Sequence, residues 1–219
     1  MTERIARLVR ELPKVTVFAD VGCDHGYCAQ YVLENGLCER AYITDISAKC
    51  LEKAEKLLAK EIAAGRCIAV CCDGLSSLPE LPDCALIAGL GGEEICHILE
   101  GALPKTLVLQ PMKNTDKVRA RLIELGRKIV KDETFSSGGK FYDLIVTEGE
   151  GEEQYTDFEL EFGRDNLKNP SRDFLKKLDT EKEKLRAVLL GDLGKESREE
   201  VLARLLRMEV ITDAFERRE

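Results

Sequence analysis

The sequence predicts an α/β fold: a mostly parallel, Rossmann-like sheet of seven strands with an antiparallel last strand, followed by a C-terminal α-helical hairpin. Short apolar segments alternate with amphipathic helical segments up to about residue 125, which is typical of right-handed βαβ units and a parallel sheet. Two more apolar segments flank the Ser-Ser-Gly-Gly turn at 136–139, so they should form an antiparallel hairpin. After residue 163 the apolar spacing is helical only.

The predicted strands and helices are bounded by turn, capping and breaking residues. Pro13 ends the first helix, and Asn35 and Gly36 end the second. Ser47 is a suitable N-cap for the third helix, which Gly65 ends. Strands are predicted at 15–19, 41–44, 68–72, 84–88, 106–109, 128–135 and 141–148. Helices are predicted at 2–12, 27–34, 48–64, 93–100 and 116–125.

We assign residues 1–163 to this α/β domain and residues 164–219 to a helical, coiled-coil-like extension. The first helix of the extension begins near Pro170, and glycines at 191 and 194 end it. A capping box that starts at Ser197 begins a second helix. A hairpin this short is not stable by itself, so we expect it to pack on the α/β domain or on a partner.

Composition narrows the class of protein further. The chain has 219 residues and a net charge of −8, and it has no apolar run near the roughly 20 residues that a membrane span needs. Its first residues are typical of an amphipathic helix rather than a signal peptide, so we expect a cytoplasmic protein. The nine cysteines include no CxxC pair, and His25 and His97 are not spaced as zinc ligands. We therefore predict reduced, mostly buried thiols and no metal site.

Three predicted strands end at a carboxylate, in Asp20, Asp45 and Asp73, at the sheet edge where open α/β sheets bind ligands. Carboxylate oxygens at these positions suit a nucleoside that carries hydroxyls, an amine and a positive charge, which favours S-adenosylmethionine. A dinucleotide is disfavoured because Asp24 and His25 interrupt the G-x-G-x-x-G fingerprint that it would require.

The cofactor residues have separate expected roles. Gly22 lets the backbone turn beneath the ligand, and Asp20 or Asp24 would bind its ammonium group. Asp45 would accept hydrogen bonds from both ribose hydroxyls, and Asp73 would accept one from the exocyclic amine of the adenine. The predicted cofactor-binding residues are Asp20, Gly22, Cys23, Asp24, His25, Asp45, Ile46, Asp73, Gly74, Gly89 and Gly91.

Three blocks of the sequence resemble the signature of one family. They are Asp-Val-Gly-Cys-Asp-His-Gly-Tyr at 20–27, Ile-Ala-Gly-Leu-Gly-Gly at 87–92 and Leu-Gln-Pro-Met at 109–112. They are similar to blocks of the TrmK family, bacterial tRNA (adenine-N1)-methyltransferases that act on adenine 22 in the D-arm region. The resemblance covers essentially the whole chain and implies a class I methyltransferase fold, S-adenosylmethionine as cofactor and tRNA as substrate. Leu90 replaces the usual methionine, a swap of similar volume.

The predicted catalytic residues are Asp24 and His25. Adenine N1 has its own lone pair, so it needs no prior deprotonation. A nearby carboxylate could stabilise the methylated, cationic base or take its N6 proton. The Asn/Asp-Pro-Pro-Tyr motif of many amino-group methyltransferases is absent after the fourth strand, which leaves Asp24 as the candidate and His25 as its neighbour. In the alternative, Asp24 only caps the next helix and His25 packs beneath it.

An acidic protein needs local basic clusters to bind tRNA phosphates. One cluster is the N-terminal helix with Arg4, Arg7 and Arg10, and another surrounds the helix after Gln110. The second cluster contains Lys113, Lys117, Arg119, Arg121, Arg127, Lys128 and Lys131. Tyr27 could stack on the target base or belong to the core. The predicted substrate-binding residues are Arg4, Arg7, Tyr27, Gly92, Gln110, Lys113 and Arg119. If the extension also contacts RNA, Lys168, Arg172, Lys176 and Lys177 are the expected residues.

Two other functions fit the same residues. One is a methyltransferase of this fold that acts on another RNA site or on a small molecule. The other is a cofactor-binding interaction protein without turnover. In each case we expect a monomer or a weak dimer.

Overall fold

The computed structural model describes residues 2–152 and 154–216, in which seven strands form one sheet. The strand order is β3-β2-β1-β4-β5-β7-β6; β1 to β5 are parallel, and β7 is antiparallel to both β5 and β6. The predicted fold class is therefore confirmed. The strands are β1 Val15–Val21, β2 Cys38–Asp45, β3 Cys67–Cys71, β4 Cys84–Ala88, β5 Thr106–Gln110, β6 Arg127–Ser137 and β7 Lys140–Glu150.

The helices differ from the prediction in several places. The first helix ends at Val9, before Pro13 is reached. The last helix begins at Lys195, so the prediction that Ser197 caps it is wrong, because Ser197 lies inside the helix. The helix expected to run from Ser47 to Gly65 is divided at Leu58, whose buried side chain packs in the core while its backbone leaves the helical region.

Two short helices on either side of Gly163 were not predicted. In the first, Phe158, Leu160 and Phe162 alternate with polar residues, which is not a helical spacing, and the second has only five residues. The helices are α1 Glu3–Val9, α2 Tyr27–Glu34, α3 Ala48–Leu57, α4 Ala59–Ala63, α5 Gly92–Ile98, α6 Thr115–Glu124, α7 Asp157–Phe162, α8 Arg164–Lys168, α9 Arg172–Leu189 and α10 Lys195–Glu216.

Both faces of the sheet are covered. Neighbouring residues of one strand point to opposite faces, so Leu86 packs in the layer formed with α1, α2 and α3, and Ile87 packs in the layer with α5 and α6. This explains why the central strands are contiguous apolar runs. The carboxyl ends of the parallel strands are left free to build a site at one edge.

The C-terminal hairpin of α9 and α10 packs on the antiparallel end of the sheet. A third apolar cluster joins Phe162 of α7 to Phe174 and Leu178 of α9 and to Met208 of α10. The tail therefore packs on the α/β domain, one of the two placements expected. Because Phe162 belongs to this cluster, apolar packing crosses the proposed boundary between residues 163 and 164, which stays a prediction.

In the described part of the chain, no helix is long and apolar enough to cross a membrane. All nine cysteines are free thiols. Cys71 is exposed, whereas burial raises the pKa of Cys38 to about 11 and that of Cys84 to about 12.

Candidate active site

A cavity of about 1110 Å³ opens at the carboxyl edge of the parallel strands. The ends of β1 to β4 form its floor, and α1 and the turn between β6 and β7 form part of its walls. All predicted cofactor residues line it except Gly91, which is buried behind the surface. The structure thus brings these residues together, although they are spread from position 20 to position 89 in the chain. Their roles stay predictions.

Asp20 fixes the turn that follows β1. Its side chain is buried, and the Ala29 backbone N–H donates to its Oδ2 at 3.0 Å, which joins the end of β1 to the first turn of α2. Burial raises the pKa of Asp20 to about 7. Gly22 has a φ of +66°, and a Cβ there would lie 3.4 Å from the side chain of Leu90. The turn therefore requires glycine for its backbone conformation and passes close to the loop after β4.

Asp24 and His25 lie at the exposed rim of the cavity. The side chain of Asp24 is 60 % exposed, and His25 Nε2 lies 3.7 Å from its Oδ2. Lys53 Nζ donates to Asp24 Oδ1 at 3.4 Å, and the His25 ring stacks on Tyr27 with centroids 5.5 Å apart. Gly26 is the N-cap of α2 and no side chain caps this helix, so the alternative in which Asp24 is a cap and His25 is packed beneath it is wrong.

The carboxylates of β2 and of the loop after β3 face the cavity next to apolar surface. Asp45 accepts from the backbone N–H of Ser47 at 2.8 Å and from that of Asp24 at 3.2 Å, and these bonds orient its carboxylate. Ile46 beside it is 77 % exposed. Asp73 Oδ2 lies 3.2 Å from His97 Nε2. This half of the site offers anionic acceptors beside an apolar side chain.

The other half of the cavity lies over β4, β5 and β7. Arg4 of α1 reaches this side, where its Nη1 donates to Gln110 Oε1 at 3.1 Å. Its guanidinium lies 5.6 Å from the ring centre of Tyr142 and near the Sδ of Met112 at 3.9 Å. A Cβ on Gly89 would lie 3.6 Å from Arg4 Nη1. Arg4 therefore faces the open floor where a substrate that accepts the methyl group would approach.

Two residues predicted to touch the substrate support this floor from behind instead. Gly92 is buried, and a Cβ there would lie 2.3 Å from the carbonyl oxygen of Asn114, so the loop after β5 packs directly on it. Gln110 is fully buried, accepts from Arg4 and donates to Pro111 O at 2.9 Å. The prediction that Gly92 and Gln110 contact substrate directly is corrected, because both are covered by protein.

The prediction that Arg119 binds tRNA is wrong. Its side chain is 1 % exposed, and its Nε donates to both carboxylate oxygens of Asp132 at 3.0 Å. Its Nη1 donates to the carbonyl oxygens of Leu160 and Glu161. Arg119 therefore joins α6, β6 and α7 inside the protein. A helical pattern alone cannot show this, because position 119 lies at the edge of the apolar stripe of α6.

The two predicted basic clusters are also partly neutralised. Arg7 forms ion pairs with Glu11 and Glu133 and lies outside the cavity lining. Around α6, Lys117 pairs with Glu93 at 2.7 Å. Lys113 is exposed and forms no ion pair with any other described residue, so it remains available for RNA. Further partners in these clusters are Glu124 for Arg121, Pro104 O and Lys105 O for Arg127, and Glu11 for Lys131.

Several residues that line the cavity were not predicted as site residues. Among them, His97 reaches Asp73 from α5, and Lys140 and Tyr142 lie at the start of β7, next to the turn. The available signal was topological: α5 starts at the carboxyl edge of the sheet, and the antiparallel β7 begins there.

The residues present fit S-adenosylmethionine. Acceptor oxygens of Asp45 and Asp73 lie where hydroxyls and an amine could donate to them, and Ile46 offers apolar surface for a flat ring. Between the two halves, the side chain of Leu90 lies so close to Gly22 that a Cβ there would be 3.4 Å from it. Position 22 therefore contributes backbone only. Within residues 2–152 and 154–216, no group of His, Cys, Asp and Glu side chains could hold a metal ion.

Comparisons with known proteins agree with this arrangement. Residues 1–145 match the sequence model of a family described as a methyltransferase domain. A Mycoplasma pneumoniae protein provisionally named as a tRNA methyltransferase is 33 % identical over 147 residues, which are 65 % of this chain and 67 % of that protein. The tRNA (adenine(22)-N(1))-methyltransferase of Bacillus subtilis is 26 % identical over 170 residues, 74 % of this chain and 71 % of that protein.

A crystal structure from Streptococcus pneumoniae extends the likeness to the whole fold. That protein is provisionally described as a tRNA (m1A22) methyltransferase and was solved in complex with S-adenosyl-L-methionine. It is 25 % identical, with a TM-score of 0.87, and the match covers 96 % of this chain and 99 % of that one.

The sheet order and the site at its carboxyl edge define a class I methyltransferase, and the chain belongs to the methyltransferase-domain family. Within that class it is a member of the TrmK family, as the signature blocks predicted.

Proposed function

We propose that this protein transfers a methyl group from S-adenosylmethionine to N1 of adenine 22 in tRNA. The observation that carries the proposal is the division of one cavity into two halves in a member of the TrmK family. Carboxylates from the β1–β3 side face one half, and the open floor at Gly89 faces the other. Such a division suits a reaction in which a bound cofactor and a base meet above the loop after β4.

The cofactor half supplies binding and orientation. Asp45, already oriented by two backbone N–H groups, would accept from the ribose hydroxyls. Asp73 would accept from the adenine amine, and His97 beside it orients its carboxylate. Asp20 supports the turn that contains Gly22, so its contribution to the bound ammonium group would be made from beneath the turn.

The acceptor half has to align the base and exclude water. S-adenosylmethionine supplies an electrophilic methyl group on a sulfonium centre when it is bound. The chain places backbone at Gly89 rather than a side chain, which permits an approach to within a few Å. Asp24 at the rim would stabilise the positive charge of the methylated base or accept its N6 proton, and Tyr27 would stack on the base.

The first experiment is an assay on unmodified tRNA with labelled S-adenosylmethionine, followed by digestion and mass spectrometry of the nucleosides. We expect 1-methyladenosine at position 22 and no transfer to a tRNA in which adenine 22 is replaced by guanine. A methyl group at another position would identify a different RNA methyltransferase. Cofactor binding without transfer to tRNA would contradict the proposal and favour a small-molecule substrate or a role without turnover.

We also propose that the protein acts in the cytoplasm as a monomer or a weak dimer. Light scattering of the full-length protein across concentrations would test the second statement, and a constant dimer mass at high dilution would contradict it.

A further inference from the structure

Arg4 occupies the acceptor half of the cavity and has only uncharged partners. These partners are the side chains of Gln110, Met112 and Tyr142. No ion pair joins Arg4 to any other residue of the described chain. The two glutamates that line this half are engaged elsewhere, since Glu93 pairs with Lys117 and Glu94 Oε2 accepts from the backbone N–H of Gly91 at 2.7 Å. The cavity therefore contains a guanidinium without a counter-ion.

The other arginines of the N-terminal helix behave differently. Arg7, one turn later, is neutralised by Glu11 and Glu133. Arg10 is exposed and does not line the cavity. Thus only Arg4 of the three points into the site, and its position there is maintained by the buried amide of Gln110, which in turn is anchored to Pro111 O.

The contacts of Arg4 place it with the acceptor rather than with the cofactor. Its neighbours come from the ends of β4, β5 and β7, namely Gly89, Gln110 and Tyr142. The carboxylates of the cofactor half come from β1, from β2 and from the loop after β3, on the other side of the point where the strand order reverses. Lys140, a second cation on the acceptor rim, is exposed and has no ion pair with another described residue.

The chemistry of the reaction selects the kind of group that Arg4 binds. Methylation at N1 makes the base cationic, and an unneutralised guanidinium nearby would oppose that charge. Two like charges brought close together repel even at the effective dielectric of a protein surface. An anion that accompanies the base into this half of the site would neutralise the guanidinium. Each nucleotide carries one in its phosphodiester, and the planar guanidinium binds phosphate with two parallel hydrogen bonds.

We propose that Arg4 binds a phosphate that flanks the target adenosine and so positions this nucleotide over Gly89, an inference that rests on the proposed function. On phosphate binding, the guanidinium gives up its hydrogen bond to Gln110 and binds the charged phosphate instead. The floor of the acceptor half is then open. Arg4 is then a substrate-binding residue that contributes to the placement of the base.

The test pairs a protein change with a substrate change. Two tRNAs each carry one neutral methylphosphonate, on the 5′ or on the 3′ side of adenosine 22. With the wild-type protein, one of them should lose about tenfold or more in kcat/KM, the loss typical of one charge-assisted contact. On unmodified tRNA, the kcat/KM of Arg4→Gln should be lower than that of the wild type by a similar factor. The methylphosphonate that affects the wild type should lower the kcat/KM of Arg4→Gln only a little further. Arg4→Lys should retain part of this sensitivity to the methylphosphonate. The matched control is Arg66→Gln, an exposed arginine just before β3 that does not line the cavity, and it should retain all of the sensitivity.

Three results would overturn the inference. One is that a methylphosphonate on either side of adenosine 22 lowers the kcat/KM of Arg4→Gln by as much as it lowers that of the wild type. Another is a rise in the dissociation constant for S-adenosylmethionine with unchanged phosphate sensitivity, which would assign Arg4 to the cofactor carboxylate. If the wild-type protein does not methylate adenine 22, the proposed function fails and the inference falls with it. If methylation occurs without coupling to Arg4, the inference alone fails.

Discussion

At the scale of single residues, burial separates two aspartates that lie four positions apart in one turn. Asp20 is enclosed, accepts from the Ala29 backbone and has a pKa of about 7. Asp24 is exposed at the rim and has a φ of +44°, in the left-handed region. The first carboxyl therefore stabilises the turn, whereas the second is available to a ligand.

Replacing Asp24 by asparagine should separate catalysis from cofactor binding. Asparagine tolerates the left-handed backbone of this position, so the turn is kept while the negative charge is lost. We expect Asp24→Asn to lower kcat by about ten- to a hundredfold and to change the dissociation constant for S-adenosylmethionine by less than about threefold. Single-turnover kinetics and calorimetry measure the two quantities. Asp192→Asn, in the exposed loop before α10, is the control, and wild-type kcat in Asp24→Asn would remove Asp24 from the mechanism.

Replacing Asp20 by asparagine should change how stability depends on pH. The folded state raises the pKa of Asp20 from 3.8 to about 7, so between these values it retains a proton that the unfolded chain has released. This contribution to stability is complete below about pH 4 and is lost as the pH rises through 7. Relative to the wild type, Asp20→Asn should gain about 2–3 kcal/mol in the free energy of unfolding from pH 5 to pH 8. Urea unfolding at both values measures it, and parallel profiles would contradict the assignment.

At the scale of elements, the carboxylate of one residue in β7 connects this strand to three other strands and helices. Asp143 accepts from Thr134 of β6 at 2.7 Å, from Thr115 at the start of α6 at 3.0 Å, and from Lys177 of α9 at 2.7 Å. Burial alone would raise the pKa of Asp143, but the charges of Lys177 and Arg119 and the hydrogen bonds from Lys177 and Thr134 lower it to about 2. The loop that precedes Thr115 packs on Gly92, so the C-terminal hairpin is connected through Asp143 to the loops of the acceptor half.

Removing the lysine partner should destabilise the protein in a pH-dependent way. Because the folded-state pKa of Asp143 is depressed, its contribution is present above about pH 4 and is lost as the pH falls through about 2. We expect Lys177→Met to cost about 2–3 kcal/mol of unfolding free energy at pH 7, and less at pH 3. Chemical unfolding of the full chain measures this, with the exposed Lys184→Met on the same helix as control. Equal losses at both pH values would exclude the ion pair as the cause.

At the scale of the whole molecule, the net charge is −8, yet several exposed lysines and arginines near the acceptor half form no ion pair with another described residue. A second groove of about 980 Å³ lies between the cavity and the C-terminal hairpin and shares Met112 and Lys140 with the cavity. Lys113, Lys140 and Lys184 line this groove, are exposed and form no ion pair with another described residue. Lys168 of α8 and Arg172 and Lys176 of α9 are also exposed and form no such ion pair. This distribution suits a tRNA that crosses from the hairpin to the site.

Reversing two of these charges should weaken tRNA binding and its dependence on salt. Lys113→Glu combined with Lys140→Glu removes two phosphate contacts, and each contributes a little under one to the slope of log K against log salt. We expect the slope to flatten by about 1.5 to 2 and cofactor affinity to stay unchanged. The control is Lys56→Glu with Lys60→Glu, an equal charge change at the far end of α3 and in α4. A slope equal to that of the wild type would place the tRNA on another surface.

The sequence by itself determined the class of fold and which strand ends meet at the cavity. Strand periodicity and turn chemistry are local, and a parallel sheet brings the ends of its strands to one edge, so Asp45 and Asp73 could be placed at that edge before any contact was known. Tertiary structure decided the rest. Arg119 is internal because Asp132 faces it, and Arg4 enters the acceptor half because Gln110, 106 residues away, accepts its hydrogen bond. Such partners are distant in the chain, and the charge of an arginine does not reveal whether a carboxylate, an amide or solvent will face it in the folded protein.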